Sequence, residues 1–200
     1  MKLTSHRFRP VVLAALTAAS FFLLCACGRE QPGTEEPGPP GKTLPAAEDE
    51  TPAVQLREVD LTGLRERLEV HRGQVVLVDV WATWCRPCVA SWPKLVDITE
   101  KYREKGLAVL TLNTDLPEQR EAVEEFLRER GAPGESLLLR VENFDDFVRK
   151  VGRQWEGGLP AILLYDRAGN LQHELLGARA TAGVEEKIRD LLAEQKQPVR

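Results

Sequence analysis

Cys85 and Cys88 stand three residues apart in Trp84-Cys85-Arg86-Pro87-Cys88, directly after the apolar run Val75–Trp81. Where a strand gives way to a helix, the first helical turn brings two such sulfurs within disulfide distance, so the pair reads as a reversible dithiol-disulfide. Such a pair exchanges disulfides with other molecules. The loop it closes is too small to act mainly as a staple, and two thiols with no third ligand in view make a poor closed metal site.

The elements that must position the pair follow from hydrophobic periodicity, which alternates between two and 3.6 residues along the chain. Val54–Asp60 reads as a strand and Leu61–Arg72 as a helix ended by Gly73. Val75–Trp81 is apolar throughout except for Asp79, as expected of a central strand covered on both faces. A helix runs from the cysteines to Lys105, closed by Gly106. Leu107–Asn113 reads as a strand, Pro117–Arg130 as a helix, Leu137–Val141 as a short extended piece and Asn143–Trp155 as a helix. Ala161–Tyr165 and Leu171–Leu176 flank a hairpin turn, and Ala182–Lys196 is the last helix. This order predicts an α/β domain over residues 53–200, with a mixed sheet flanked by helices and a segment inserted after the third strand.

Upstream of that domain the composition changes twice. Residues 1–10 carry Lys2, Arg7 and Arg9 without an acid, and Val11–Cys27 is an almost unbroken apolar stretch, shorter than the roughly 20 residues a spanning helix needs. Together they read as an export signal over residues 1–26. Leu24-Cys25-Ala26-Cys27-Gly28 resembles a bacterial lipobox, which implies lipidation of Cys27 as the new N-terminus. Residues 28–52 hold six prolines, four glycines and an acidic excess, too little apolar surface to order a fold, so 27–52 reads as a lipidated tether. A flexible chain of that length reaches roughly 25–30 Å. An exported protein meets an oxidising compartment, which suits a working disulfide pair.

At 200 residues with 42% hydrophobic and 29% charged, the chain has room for one such domain, and its formal net charge of −4 offers no basic patch for nucleic acid. A monomer is the default state, and no cofactor is implied.

The strand leading into Trp-Cys-x-Pro-Cys, the Gly158-Leu159-Pro160 run before a later strand and the closing hairpin and helix resemble thioredoxin. The N-terminal anchor and the insertion resemble its exported TlpA/ResA branch. The resemblance implies a thioredoxin fold and a membrane-tethered reductase on the periplasmic side of a bacterial envelope, lipid-anchored and acting on protein disulfides with a membrane electron-transfer partner. An oxidase or isomerase running the same cycle in reverse, or a non-enzymatic metal- or partner-binding module on this fold, stays open.

Site roles follow from the resemblance and from chemistry together. Cys85, at an exposed helix N-terminus, is the expected nucleophile, and Cys88, one turn in, the resolving thiol. Arg86 is placed to favour the Cys85 thiolate. Asp79 corresponds to a buried acid that takes and returns the resolving proton, with desolvation raising its pKa. Pro160 corresponds to a cis-proline over the sulfurs. Trp84, Gly158, Leu159 and the Gly177 backbone are the expected substrate surface. Ser91 stands where the exported branch often carries glutamate, so that relay is absent.

Overall fold

The computed structural model describes residues 55–194. The expected signal segment, Cys27, the expected tether and the C-terminal end of the expected last helix lie outside the described residues.

Six strands form one mixed sheet in the order β1-β4-β3-β2-β5-β6. These are β1 (Leu56–Val59), β2 (Val75–Trp81), β3 (Leu107–Asn113), β4 (Glu135–Leu139), β5 (Ala161–Tyr165) and β6 (Leu171–Leu176). β1 through β3 and β4 run parallel, and β5 pairs antiparallel with both β2 and β6. The helices are α1 (Leu61–Val70), α2 (Arg86–Tyr102), α3 (Arg120–Arg130), α4 (Phe144–Val151) and α5 (Ala180–Ala193).

Alternation along β2 sorts the two cores. Val75, Leu77 and Trp81 face a cluster with residues of α2, α3 and α5, while Val76, Val78 and Val80 face a second cluster with residues of α1 and α4. Every residue of β2 is buried, which only a strand with helices over both faces achieves.

The inserted segment is more integral than a surface addition. Its strand β4 occupies an interior place between β1 and β3, and α3 and α4 cover opposite faces. Several boundaries differ from the sequence reading. β4 begins two residues earlier than the expected extended piece, because Glu135 and Ser136 pair with Leu110 and Thr111. The helix at the cysteines stops at Tyr102 and tightens into a 3-10 turn over Arg103–Lys105, closed by Gly106 at φ 98°. Pro117–Gln119 is likewise a 3-10 turn ahead of α3. α4 ends at Val151 rather than Trp155, since Trp155 folds back to bury its ring against Phe144 and Phe147 and donates Nε1 to the Gly158 carbonyl at 2.8 Å. α5 starts two residues earlier than expected, at Ala180.

What fastens α2 to the sheet is an aromatic cluster. Trp81 of β2 lies 4.6 Å from Trp92 of α2 and 4.8 Å from Phe126 of α3, centroid to centroid, and Trp92 donates Nε1 to the Gly131 carbonyl at 3.0 Å. Both tryptophans are essentially fully buried. Replacing Trp92 with alanine removes a large buried ring and a satisfied hydrogen bond, so Trp92→Ala is expected to lower stability by about 3–5 kcal/mol, read as a lower urea midpoint.

Candidate active site

The chain leaves β2 at Trp81, turns through Ala82-Thr83-Trp84 and enters α2 with Cys85 as its N-cap. Short polar contacts define the turn. The Cys85 amide donates to the Ala82 carbonyl at 3.1 Å, and the Cys85 Sγ accepts the Cys88 amide at 3.3 Å. Pro87 occupies the first helical turn, where a missing N–H costs nothing. No acid stands in that turn. The helix N-terminus is therefore free to stabilise an anion at the Cys85 position.

The two sulfurs are joined as a disulfide, with Cα atoms 5.3 Å apart. Cys88 is buried as expected, but Cys85 is not the exposed residue that the sequence reading foresaw: only 4% of it is accessible. Both cysteines belong to the buried cluster that includes Ala82, Ile162 and Ala180, against which Leu159 packs. In the disulfide state both sulfurs are thus recessed. Arg86, next in the chain, is exposed and forms no ion pair among the described residues.

Asp79 is buried inside β2. The period of the strand puts its side chain on the same face as Leu77 and Trp81, the face that carries both cysteines, and the register sets it between Thr111 of β3 and Ile162 of β5. Desolvation pushes its pKa up to about 7. A carboxyl in that range exchanges a proton near neutral pH.

The peptide bond between Leu159 and Pro160 is cis, in agreement with the resemblance, and Pro160 is buried. Its carbonyl accepts the Gly177 amide at 2.9 Å, which ties the two loops together; Gly177 holds φ at 75°, a region that favours glycine. Three of the four expected surface residues, Trp84, Gly158 and Leu159, line one apolar groove of about 490 Å³. Gly177 does not line it. Trp84 is 64% exposed at the rim, an unusual state for so large a ring.

The opposite wall was not foreseen. Leu116, Pro117, Leu139, Val141 and Phe144, all from the inserted segment or its approach, complete the groove. Periodicity assigns such residues to helix and strand faces but cannot place them across from Trp84. Also unforeseen is a polar knot behind the turn. The Asp115 carboxylate accepts the Thr83 amide at 2.8 Å, the Thr83 hydroxyl at 3.1 Å and the Asn113 side-chain amide at 2.8 Å. The one signal in the sequence was an acid just past the end of a wholly buried strand.

A recessed dithiol-disulfide at a helix N-terminus, a buried acid on the same sheet face and a cis-proline loop define a thioredoxin-like thiol-disulfide oxidoreductase. The chain belongs to the Redoxin family, whose model matches residues 40–192. It is 29% identical over 126 residues to the thiol-disulfide oxidoreductase ResA of Bacillus thuringiensis, covering 63% of this chain and 68% of that protein. It is 26% identical over 185 residues to the thiol:disulfide interchange protein HelX of Rhodobacter capsulatus, covering 92% of each. Among solved structures, a thioredoxin family thiol:disulfide interchange protein from Chlorobium tepidum superposes with a TM-score of 0.53 over 62% of this chain and 84% of its own at 18% identity, a likeness of fold. These relatives and the fold thus agree with the thioredoxin-like, TlpA/ResA-type class expected from the sequence.

The raised pKa of Asp79 links stability to pH. The folded state holds this proton more tightly than the unfolded chain does, so the stability it lends is full below about pH 4 and drains away as pH rises through about 7. Across that window the loss is on the order of 4 kcal/mol. Asp79→Asn is expected to abolish this dependence and to leave the oxidised protein more stable than wild type at pH 8, as measured by urea unfolding at pH 4 and pH 8.

Proposed function

We propose that this oxidoreductase is a membrane-tethered reductase of disulfides in exported proteins, working on the periplasmic side of a bacterial envelope. The observation that carries the reductase reading is the buried Asp79 on the cysteine face, with a pKa near neutrality. Such a group takes the Cys88 proton when the thiol must attack and gives it back when the pair is reduced again.

Reduced Cys85, as thiolate, attacks one sulfur of the substrate disulfide; a mixed disulfide forms, and the other substrate sulfur leaves as a thiolate and is protonated. Cys88 passes its proton to Asp79 and attacks the Cys85 Sγ, which forms the intramolecular disulfide and releases the second substrate thiolate. Two electrons move from protein to substrate. A membrane electron donor returns them, and the Cys85–Cys88 disulfide opens to the dithiol.

The groove beside Trp84 and Leu159 suits the apolar residues flanking a substrate cysteine, with Gly158 and the Leu159 backbone at its edge. Burial there lengthens the encounter in which sulfur meets sulfur. On this reading Cys27 carries lipid and residues 28–52 let the domain search the membrane surface. The name of the similar HelX, a thiol:disulfide interchange protein aligned over most of its length, supports the same class of partner.

Cys85→Ser is expected to abolish disulfide reduction, whereas Cys88→Ser retains the first attack and accumulates mixed disulfides visible on non-reducing gels. Turnover retained by Cys85→Ser overturns the cycle. For the anchor, mass spectrometry of the mature N-terminus is expected to find an acylated Cys27; an unmodified or uncleaved N-terminus removes the tether.

A further inference from the structure

Asp115 is an acid that the cycle above does not use. It is 2% exposed, and among the described residues no ion pair involves it. A buried carboxylate held only by neutral donors is costly, so it needs several of them. It has three on the side chain, from Thr83 N, Thr83 Oγ1 and Asn113 Nδ2, while its own amide donates to Asn113 Oδ1 at 2.9 Å. The Arg140 guanidinium reaches its backbone carbonyl at 3.4 Å. The preceding residue is fixed too, since the Thr114 amide donates to the Trp81 carbonyl at 2.9 Å.

The position of this acid matters because of what Thr83 leads to. Two residues later comes Cys85, and the turn between them is closed by the bond from the Cys85 amide to the Ala82 carbonyl. The carboxylate lies 2.8 Å from the Thr83 amide, and consecutive Cα atoms are 3.8 Å apart, so it stands within about 12 Å of the Cys85 Cα. Both groups are buried, which limits screening by water, and at that range one negative charge disfavours another. The anion that the helix N-terminus stabilises is the Cys85 thiolate, which exists only in the dithiol form. A charge that opposes it shifts the pair toward the disulfide, and so toward donating electrons.

We propose that Asp115 is a positioning residue of the redox pair: it clamps the Thr83 turn that presents Cys85 and, by its charge, holds the pair toward the reducing side. This deepens the reductase reading and rests on the pair cycling between dithiol and disulfide. The two parts of the role separate cleanly. In Asp115→Asn the side chain is isosteric; its oxygen can keep the Thr83 and Asn113 N–H groups, and its new NH₂ can donate to the Thr83 hydroxyl, which also accepts. That variant retains the clamp and loses the charge. Thr83→Val does the reverse, losing one donor to the carboxylate and leaving its charge less compensated.

The test is equilibration of the whole protein with glutathione, in which two reduced glutathiones open the Cys85–Cys88 disulfide to the dithiol and become one oxidised glutathione. Asp115→Asn is expected to raise the equilibrium constant for this reduction about tenfold, a potential about 30 mV more oxidising. Thr83→Val is expected to lower it about twofold. Loosening of the turn alone would move Thr83→Val and leave Asp115→Asn, which keeps the clamp, at the wild-type value. A constant for Asp115→Asn equal to or below wild type, or a rise in both variants, overturns the assignment. Should Asp115→Asn fail to fold by circular dichroism, Thr83→Val decides: a fall supports the role, and no change or a rise overturns it. Failure of wild type to equilibrate at all tells instead against the cycle itself.

Discussion

The junction between β2 and α2 is the constraint on which the remainder of the molecule depends. Cys85 must be at once the last extended residue and the helix N-cap, with its sulfur accepting the Cys88 amide. This is possible only if α2 is held at one height and one angle over the end of β2. The Trp81, Trp92 and Phe126 cluster does that from below, with rings in contact across strand and two helices. The α5 residue Glu185 does it from the outside, gathering Lys94, Lys101 and Tyr102 of α2, and these partners hold its carboxyl down at about 2. Such exposed ion pairs contribute little each. The aromatic burial dominates, because it removes large apolar surfaces from water.

Once the junction is fixed, the chemistry follows from what each side of it sees. The helix side offers unsatisfied N–H groups and no acid, which suits a thiolate. The sheet side offers a desolvated carboxyl at Asp79, which suits a proton carrier. These are opposite electrostatic environments on the two sides of one strand-helix junction. The cis Leu159–Pro160 loop and Gly177 close the remaining side through the bond between the Pro160 carbonyl and the Gly177 amide. What is left open is the groove lined by Trp84 and Leu159.

The inserted segment shows how a strand added in the middle of a sheet reshapes a site at its end. β4 enters between β1 and β3, so the loops that follow β3 and β4 both emerge beside the redox turn. The first carries Asp115 and Leu116, and the second carries Val141 and leads into Phe144 at the start of α4. One braces the turn and both wall the groove. The insertion is thus part of the active-site architecture as well as of the core.

From the sequence by itself came the redox pair, the strand-helix junction beneath it, the buried acid at Asp79 and the thioredoxin-like class, because each is a local pattern: a spacing of three, an apolar run with one acid, a proline at a strand start. Period and punctuation are enforced by nearest neighbours, so they can be read along the chain. Helix ends were read less well. Lys105 and Trp155 fell beyond the true ends of α2 and α4, where a 3-10 turn and the inward fold of Trp155 prevailed over propensity. Tertiary structure alone decided that Cys85 is recessed, that β4 lies inside the sheet, that Leu139 and Phe144 face Trp84, and that Asp115 grips Thr83. These depend on strand order and on contacts between residues 30 or more apart, and spacing along a chain carries no information about which distant partner fills a given space.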